Sequence, residues 1–346
     1  MKLPGPLKEL THYRSAVFGL CIIGALIALA IFTVLAIPYD EAIRRWRAGE
    51  EVWGDYPRNA VPEWFSIFAG NTLPTTVILN SQDKNVQKDS QIVSADMKTA
   101  DMKFAFDYTS DGFPNELNLF LTSKFLQKKP QATMIWKTPD GRQIPLGDTT
   151  VGVAERFSIS TDQRLSLKLD GRAPEVGLFA QPGTTAKGMT PVVQKGKYEL
   201  IIEGLAFEKD STLDAKLVVY GQAYGLAGTD HRRRDILLAL LWGTPIALAF
   251  GFLAAVGSTL TTFAIAAIGA WFGGWLDALI QRITEINSVL PVLPILILIG
   301  TFYTRNIWVI LGVVITLGIF SLGIKTYRSM FIQVKEMPYI EAAHAY

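Results

Sequence analysis

The longest uncharged stretch of the sequence, residues 236–276, constrains the fold more than any other feature. A single helix needs only about 20 apolar residues to cross a hydrocarbon core of about 30 Å. Because this stretch is longer than one span, we expect a span over residues 244–270 that follows a lead-in at the membrane surface. A uniformly soluble fold is therefore excluded.

A second uncharged stretch near the N-terminus predicts another span. Residues 16–37 would reach about 33 Å as a helix. Basic residues precede this stretch, as they do in a signal peptide, but the apolar core of a cleavable signal is only about 7 to 15 residues long. No pattern of small residues typical of a cleavage site follows. We expect a short N-terminal tail, residues 1–15, and an uncleaved anchor over residues 16–38.

Two further apolar stretches, residues 286–303 and 307–324, predict a third and a fourth span. Three charged residues, Asp277, Arg282 and Glu285, lie before the third stretch. Arg282 and Glu285 are three residues apart, so on a helix they face each other and favour an ion-pair cluster. A role in gating is the alternative.

The middle of the chain has a different composition. Residues 40–230 contain 47 of the 64 charged residues. Apolar side chains alternate in MKFAFDY, residues 102–108, as a half-buried strand requires. Pro139, Asp140 and Gly141 predict the turn of a hairpin, and RLSLKLD, KYELIIE and AKLVVYG repeat the strand pattern. Seven or eight such strands predict an antiparallel β-sandwich within residues 39–228.

This middle segment carries few candidate sites. Asp107, Asp111 and Glu116 could bind a cation, but a solvated turn is the favoured interpretation. An aromatic cluster just after the first predicted span suggests a ligand platform, an interfacial belt or packing against the sandwich, the last two being favoured. Its members are Trp46, Trp53, Tyr56, Trp64, Phe65 and Phe68. The single cysteine, Cys21, excludes an intramolecular disulfide, and the scattered histidines predict no metal site.

Three motifs in the C-terminal part resemble the dipeptide/oligopeptide/nickel class of ABC transporter permeases. The first, GTDHRRRD, contains Arg233 where that family has glycine before its Arg-Asp pair. The second is WFGGWLD, with a following arginine, and the third is the EAA segment, YIEAAHAY, at residues 339–346. The matched positions outside the EAA segment are Gly228, Thr229, Asp230, Arg234, Asp235, Gly273, Gly274, Asp277 and Arg282. Three motifs in the family's order are much more specific than any one of them.

The resemblance implies a fold and a topology. The expected fold class is an α-helical polytopic membrane protein with a large extracytoplasmic all-β domain, residues 39–228, between the first and second spans. Residues 229–346 would form the permease transmembrane domain and end in a partial EAA coupling loop at 333–346. Four spans from a cytoplasmic N-terminus bring this loop to the cytoplasm, where the family docks its ATPase. The implied coupling residues are Tyr339, Ile340, Glu341, Ala342, Ala343 and His344.

The resemblance also implies a function and partners. We expect a permease subunit in the cytoplasmic membrane that imports peptides, with nickel and oligosaccharides as alternative substrates. A second permease subunit, two ATP-binding subunits that hold ATP and Mg²⁺, and an extracytoplasmic solute-binding protein would complete the system. No cofactor is expected on this chain, and a net charge of +2 does not favour nucleic acid. Because the family continues beyond the EAA loop through two more spans, we expect a C-terminally truncated permease.

Two other classes fit the sequence less well. A membrane-anchored receptor would need a signalling domain, and none follows the fourth predicted span. A polytopic membrane enzyme would need polar catalytic groups at membrane depth, where only Thr, Ser and Asn occur. The two long uncharged stretches 244–270 and 286–303 also provide no fixed charge for an ion-driven transporter.

Overall fold

A computed structural model describes residues 13–94, 97–184 and 189–345 of the chain. The chain forms two compact units. One comprises residues 38–240, and the other comprises the N-terminal part up to Ile37 together with the chain from Leu241 onwards. Residues 1–12 of the expected N-terminal tail lie outside the described residues.

The helices of the described residues are distributed over both units. They are α1 (Arg14–Ala36), α2 (Tyr39–Arg47), α3 (Glu50–Trp53), α4 (Ser66–Ala69), α5 (Gln163–Lys168), α6 (Pro174–Gly177), α7 (Ile236–Phe272), α8 (Gly274–Val289), α9 (Val292–Leu298), α10 (Ile307–Ile319), α11 (Gly323–Lys335) and α12 (Pro338–Ala345). Short 3₁₀ turns form at Glu63–Phe65 and Ile159–Thr161, and a π-helical segment, Ile299–Tyr303, continues α9.

The strands belong to the unit of residues 38–240. They are β1 (Val77–Asn80), β2 (Gln87–Ser94), β3 (Met97–Tyr108), β4 (Glu116–Lys124), β5 (Gln131–Lys137), β6 (Gln143–Thr150), β7 (Ala154–Ser158), β8 (Gly196–Ala206) and β9 (Thr212–Tyr220). All pairings are antiparallel, in one sheet of order β1-β9-β4-β7 and another of order β2-β3-β8-β5-β6. The described residues thus contain the predicted antiparallel β domain, with nine strands where seven or eight were expected.

The core of this domain lies between its two sheets. Strand β3 buries Met102, Phe104, Phe106 and Tyr108, as the alternation in MKFAFDY predicts. These side chains join one apolar cluster with the inward-facing leucines of β4 in the other sheet. Burial of each large apolar side chain contributes about 1.5–3 kcal/mol to folding, so the alternating strands stabilise the domain through this cluster.

One predicted strand is wrong. The segment RLSLKLD, residues 164–170, contains helix α5 instead of a strand. The carboxylate of Asp162 accepts hydrogen bonds from the backbone N–H groups of Arg164 and Leu165, which caps the helix. Leu165 is buried, but Leu167 is 78% exposed, so the alternation of leucines does not mark a buried sheet face.

The second unit is helical and apolar. Among the described residues, α1 and α7 are each long and apolar enough to cross a membrane. Up to four spans result if each of two bent helix pairs counts as one. The first pair is α8 with α9 and its π-helical continuation, bent by 75°, and the second is α10 with α11, bent by 49°.

The predicted limits of the second and third spans do not coincide with helix ends. Helix α7 is continuous over 37 residues and includes the expected lead-in, with Pro245 inside it. The expected third span, residues 286–303, starts on the last turn of α8 and crosses the bend before α9. Pro291 causes this bend, because the residue before a proline avoids the helical conformation, and Leu290 is extended. The span limits themselves stay a prediction.

Candidate functional site

The GTD segment, residues 228–235, leads directly into α7. Asp230 organises its turn through both carboxylate oxygens. Oδ1 accepts from the backbone N–H groups of Arg232 and Arg234 at 2.8 and 2.9 Å, and Oδ2 accepts from the Arg234 guanidinium at 2.7 and 2.9 Å. Burial opposes ionisation of this carboxyl, but the bonds from Arg234 and Arg232 outweigh it and hold the pKa of Asp230 below its usual value. The motif's Asp-Arg pair thus has a structural task.

Gly228 and Thr229 fasten the GTD segment to the chain that precedes the sandwich. Gly228 has a left-handed φ of +74°, and a Cβ there would lie 2.2 Å from the carbonyl oxygen of Ala60. The buried hydroxyl of Thr229 donates to Pro57 O at 2.7 Å and accepts from Ala60 N at 3.0 Å. These backbone contacts give both motif residues a structural role.

Asp235 immediately precedes the long helix α7. Its carboxylate accepts from the backbone N–H of Leu237 at 2.8 Å, and the backbone N–H of Ile236 donates to Gly228 O. Since the first N–H groups of a helix have no partner within it, this carboxylate acts as the N-terminal cap. The pair Thr229 and Asp235 also forms a short antiparallel bridge that closes the segment.

Arg233, the residue that departs from the family pattern, contacts residues far from this segment in the sequence. It has a left-handed φ of +66°, which is rare for a side chain other than Asn or Asp, and it is only 2% exposed. Its guanidinium donates to Tyr56 O at 2.6 Å and to a Glu116 carboxylate oxygen at 2.5 Å. It also stacks over the ring of Tyr220, 4.2 Å from the centroid.

Glu116 connects Arg233 to the sheet. It is the first residue of β4, and it also accepts from Arg156 of β7 at 3.1 Å and from the Asn118 side chain at 2.7 Å. Burial alone would raise the pKa of the Glu116 carboxyl, but the hydrogen bond from Asn118 and the charge of Arg233 outweigh it and lower the pKa. The carboxylate is therefore ionised and satisfied.

The possible cation site of the sequence does not form. Asp111 binds the ammonium of Lys195 at 2.6 Å and accepts hydrogen bonds from the backbone and hydroxyl of Thr72, while Glu116 is engaged by arginines. Within the described ranges, no group of three or more His, Cys, Asp or Glu residues could hold a metal ion.

The FGGW motif forms the connection between α7 and α8. Gly273 and Gly274 have successive left-handed φ values of +63° and +58°, which only glycine adopts at low cost. Gly273 N bonds to Gly269 O and ends α7. The two glycines therefore allow the chain to leave α7 and begin α8 after a single intervening residue.

The charged residues after this turn pair differently from the sequence prediction. Arg282 and Glu285 do form an exposed ion pair at 3.2 Å. Asp277 does not join them, because its carboxylate accepts two bonds from the Arg328 guanidinium of α11, at 2.7 and 2.5 Å. Asp277 thereby connects α8 to the helix that precedes the EAA segment.

The predicted coupling residues lie on α12. The side chain of Tyr339 is 60% exposed, and Ala342 and Ala343 are also exposed. The side chains of Glu341 and His344 lie outside the described part of the structure. Ile340 lines an apolar groove of about 370 Å³ together with residues of α7 and α11. This groove is lined by Ala267, Ile268, Ala270, Trp271, Phe272, Phe331, Val334, Lys335 and Ile340.

Comparisons with known proteins identify relatives of this chain. The peptidoglycan transport system permease protein YejE of Agrobacterium fabrum is 34% identical over 119 residues, 34% of this chain and 31% of that protein. The inner membrane ABC transporter permease protein YejE of Escherichia coli is 31% identical over 118 residues, 34% of each protein. The oligopeptide transport system permease protein OppC of Haemophilus influenzae is 30% identical over 125 residues, 35% of this chain and 39% of that protein. No family model matches the sequence.

The chain is related to the permease subunits of peptide transport systems. The resemblance predicted from the three motifs is thereby confirmed. The chain spans about a third of the length of the curated permeases it matches. Its apolar helices and these permease relatives together identify an integral membrane protein. A solved structure, TmCBM61 in complex with β-1,4-galactotriose, covers 42% of this chain and 86% of its own at 7% identity, but its TM-score of 0.19 supports no argument.

Sequence reasoning missed two features of the permease-related chain. Glu116 and Arg328 are essential members of the ion pairs just described, yet each lies far along the chain from its partner. A signal for the first was present, since an arginine replaces the family's glycine within a run of three arginines. A signal for the second was absent, because lysines and arginines are common at the ends of membrane helices.

Proposed function

We propose that this chain is a membrane-spanning permease subunit of an ATP-driven ABC importer for peptides. The observation that carries the proposal is the similarity of about a third of the chain, at 30–34% identity, to permease subunits of transport systems. The GTD segment supports it, because the motif residues Gly228, Thr229 and Asp235 each make a specific backbone contact at the start of α7. The transported class comes from permease relatives named for peptidoglycan, dipeptide and oligopeptide transport.

The proposed topology has a cytoplasmic N-terminus and an extracytoplasmic β domain. Helix α1 would be the first span and α7 would contain the second. The bent pairs α8–α9 and α10–α11 would supply the third and fourth spans, which return the chain to the cytoplasm before α12. An even number of spans puts residues 1–15 and the EAA segment on the same side.

Coupling to ATP hydrolysis would occur through α12. Its exposed Tyr339, Ala342 and Ala343 form a small, sterically undemanding surface, which a cleft on a soluble ATP-binding subunit can accept. The Asp277–Arg328 pair and the groove beside Ile340 connect this end of the chain to α7 and α8. Closure of two ATP-binding subunits would then rock the membrane helices between inward and outward states.

The remaining partners would be a second permease subunit and a solute-binding protein outside the cell. ATP and Mg²⁺ would bind the ATP-binding subunits, and this chain would carry no cofactor. Peptides are the proposed substrate, with nickel and oligosaccharides as alternatives. The β domain would serve as a docking or spacer element for the solute-binding protein.

Cysteine labelling tests the topology. Replacement of the only cysteine, Cys21→Ser, gives a background for two single-cysteine variants, Lys129→Cys in the β domain and Met337→Cys before α12. Both positions are exposed. A membrane-impermeant maleimide should label position 129 in intact spheroplasts and position 337 only after permeabilisation. The reverse pattern would overturn the topology.

An uptake assay tests the function. The chromosomal gene that encodes this chain would be altered to give Ala343→Arg, with Leu167→Arg as a matched control on an exposed β-domain helix. We expect Ala343→Arg to abolish uptake of labelled peptides at normal membrane levels, because a long cation on α12 blocks docking, whereas the control should transport normally. Unchanged peptide uptake in both variants, or in a deletion strain, would contradict the proposal.

A further inference from the structure

The predicted aromatic cluster after α1 separates into two parts in the structure. Trp53 is buried, with its ring 5.1 Å from that of Tyr56, so these residues pack within the β unit. Trp64, Phe65 and Phe68 instead lie on the surface. The second group requires an explanation, because exposed aromatic side chains in water are unfavourable when they are clustered.

The exposed group belongs to an apolar tip, which residues 63–70 and Leu226 form. The turn Glu63–Phe65 runs into the one-turn helix α4, which ends at Gly70 with a left-handed φ of +69°. The most exposed apolar side chains of the tip are Ile67 at 79% and Phe68 at 76%, and Leu226 beside them is 70% exposed. The Trp64 ring packs edge-on against Phe65 and Phe68, with centroids 6.3 and 6.1 Å apart.

Hydrogen bonds hold this tip in place. The indole N–H of Trp64 donates to Leu226 O at 2.9 Å, and Glu63 N donates to Gly225 O at 2.9 Å. The Glu63 carboxylate in turn accepts from Gly225 N at 3.0 Å. The apolar side chains are thus fixed outward by the backbone of residues 225–226, so their exposure is a built feature of the fold.

The position of the tip along the chain favours lipid as its partner. Leu226 lies ten residues before α7, and the turn at Glu63 follows α1 after the two short helices α2 and α3, so each segment of the tip is joined in sequence to a helix long enough to cross a membrane. Trp is enriched at membrane–water interfaces, and exposed apolar side chains beside it can insert below the lipid headgroups.

The size of the tip argues against a protein partner. Stable protein interfaces use about 20–30 residues on each side. The tip offers only five exposed apolar side chains. Insertion of two or three such side chains into a bilayer needs no complementary surface.

We propose that residues 63–70 together with Leu226 form an interfacial anchor, which inserts Ile67 and Phe68 at the boundary between lipid headgroups and acyl chains. The anchor would hold the β domain at the membrane surface beside the start of α7. This proposal rests on the membrane placement within the proposed function, but it does not depend on the substrate or on the direction of transport.

Spin-label accessibility tests the anchor in the full chain. In the Cys21→Ser background, labels would be attached to Ile67→Cys and Phe68→Cys, with Leu167→Cys as a matched control that is 78% exposed on another helix of the same domain. The chain would be reconstituted in vesicles of phosphatidylethanolamine and phosphatidylglycerol. We expect the labels at positions 67 and 68 to collide with oxygen several-fold more often than with a water-soluble nickel chelate. The label at position 167 should collide more often with the chelate.

Two outcomes would overturn the anchor. Labels at both tip positions that collide with the nickel chelate as often as the label at 167 would show a solvated tip. Labels that are protected from both reagents would show a protein contact in place of lipid. The maleimide pattern at positions 129 and 337 is independent of these results, so failure of the anchor and failure of the proposed topology can be distinguished.

Discussion

The guanidinium of Arg233 lies 2.5 Å from the carboxylate of Glu116, although 117 positions separate the two residues in the sequence. Arg233 belongs to the GTD segment that leads into α7, and Glu116 begins β4 of the sandwich. This ion pair therefore connects the permease motif to the β domain within one compact unit. Arg233 adopts a left-handed backbone conformation to make this connection, and that conformation is strained for a residue other than glycine.

Replacement of Arg233 should separate the stabilisation by its ion pair from the strain of its left-handed backbone. Both Arg233→Ala and Arg233→Gly remove the ion pair and should lower the free energy of unfolding of the β domain by about 2 kcal/mol or more. Only alanine retains the left-handed strain, so Arg233→Gly should be the more stable variant by about 1 kcal/mol. Pulse proteolysis of the full chain in urea measures both values. Equal stability of the two variants would mean that the strain is absent.

The Glu116 carboxyl should also make stability depend on pH. Its pKa in the folded chain is lower than the usual value of 4.5, so its contribution is complete above that value and is lost as the pH falls through the folded pKa. Stability of the β domain should therefore fall more steeply below about pH 4.5 in the native chain than in Glu116→Gln. Denaturation midpoints of both proteins, measured from about pH 6 to about pH 3, give the difference, because this interval includes the usual pKa of a glutamate. Parallel curves for the two proteins would exclude this role.

Gly228 offers a prediction with a close control. Gly228→Ala would place a Cβ 2.2 Å from Ala60 O, whereas Gly225→Ala, also at a positive φ, meets open space. We expect Gly225→Ala to cost about 1 kcal/mol from backbone strain alone. Gly228→Ala should cost several times more and lower the amount of folded protein in the membrane. Western blots and thermal unfolding compare the variants, and equal losses would contradict the close approach.

The Asp277–Arg328 pair should contribute more than its exposed neighbour. Arg328→Ala leaves a carboxylate that is only 15% exposed without its two-bond partner, so we expect a loss of thermal stability in detergent equal to about 1.5–3 kcal/mol. Arg282→Ala breaks a pair whose side chains are 76% and 51% exposed, and should cost at most about 0.5 kcal/mol. A charge-swapped Asp277→Arg, Arg328→Asp variant should recover part of the loss. If the charge-swapped variant recovers no thermal stability, and the two single variants lose equal amounts, the Asp277–Arg328 pair does not stabilise the protein.

Much of the β domain could be predicted from sequence, because local alternation determines which strand face is buried. MKFAFDY and the Pro-Asp-Gly hairpin follow this rule. RLSLKLD does not follow it. The carboxylate of Asp162 caps a helix at this position, and the helix forms in spite of the alternating leucines. The ion pairs of Glu116 and Arg328 could not be predicted, because they join residues that only the tertiary fold brings together.

Photocrosslinking at α12 tests the central claim most directly. A photoreactive phenylalanine analogue would replace Tyr339, whose side chain is 60% exposed, in the chromosomally encoded protein in native membranes. The same analogue at Leu167 of the β domain serves as the control. The account predicts an adduct between position 339 and an ATP-binding subunit, and none from position 167. Absence of any such adduct at 339, with the protein present at normal levels, would contradict a role as an ABC permease coupled through this helix.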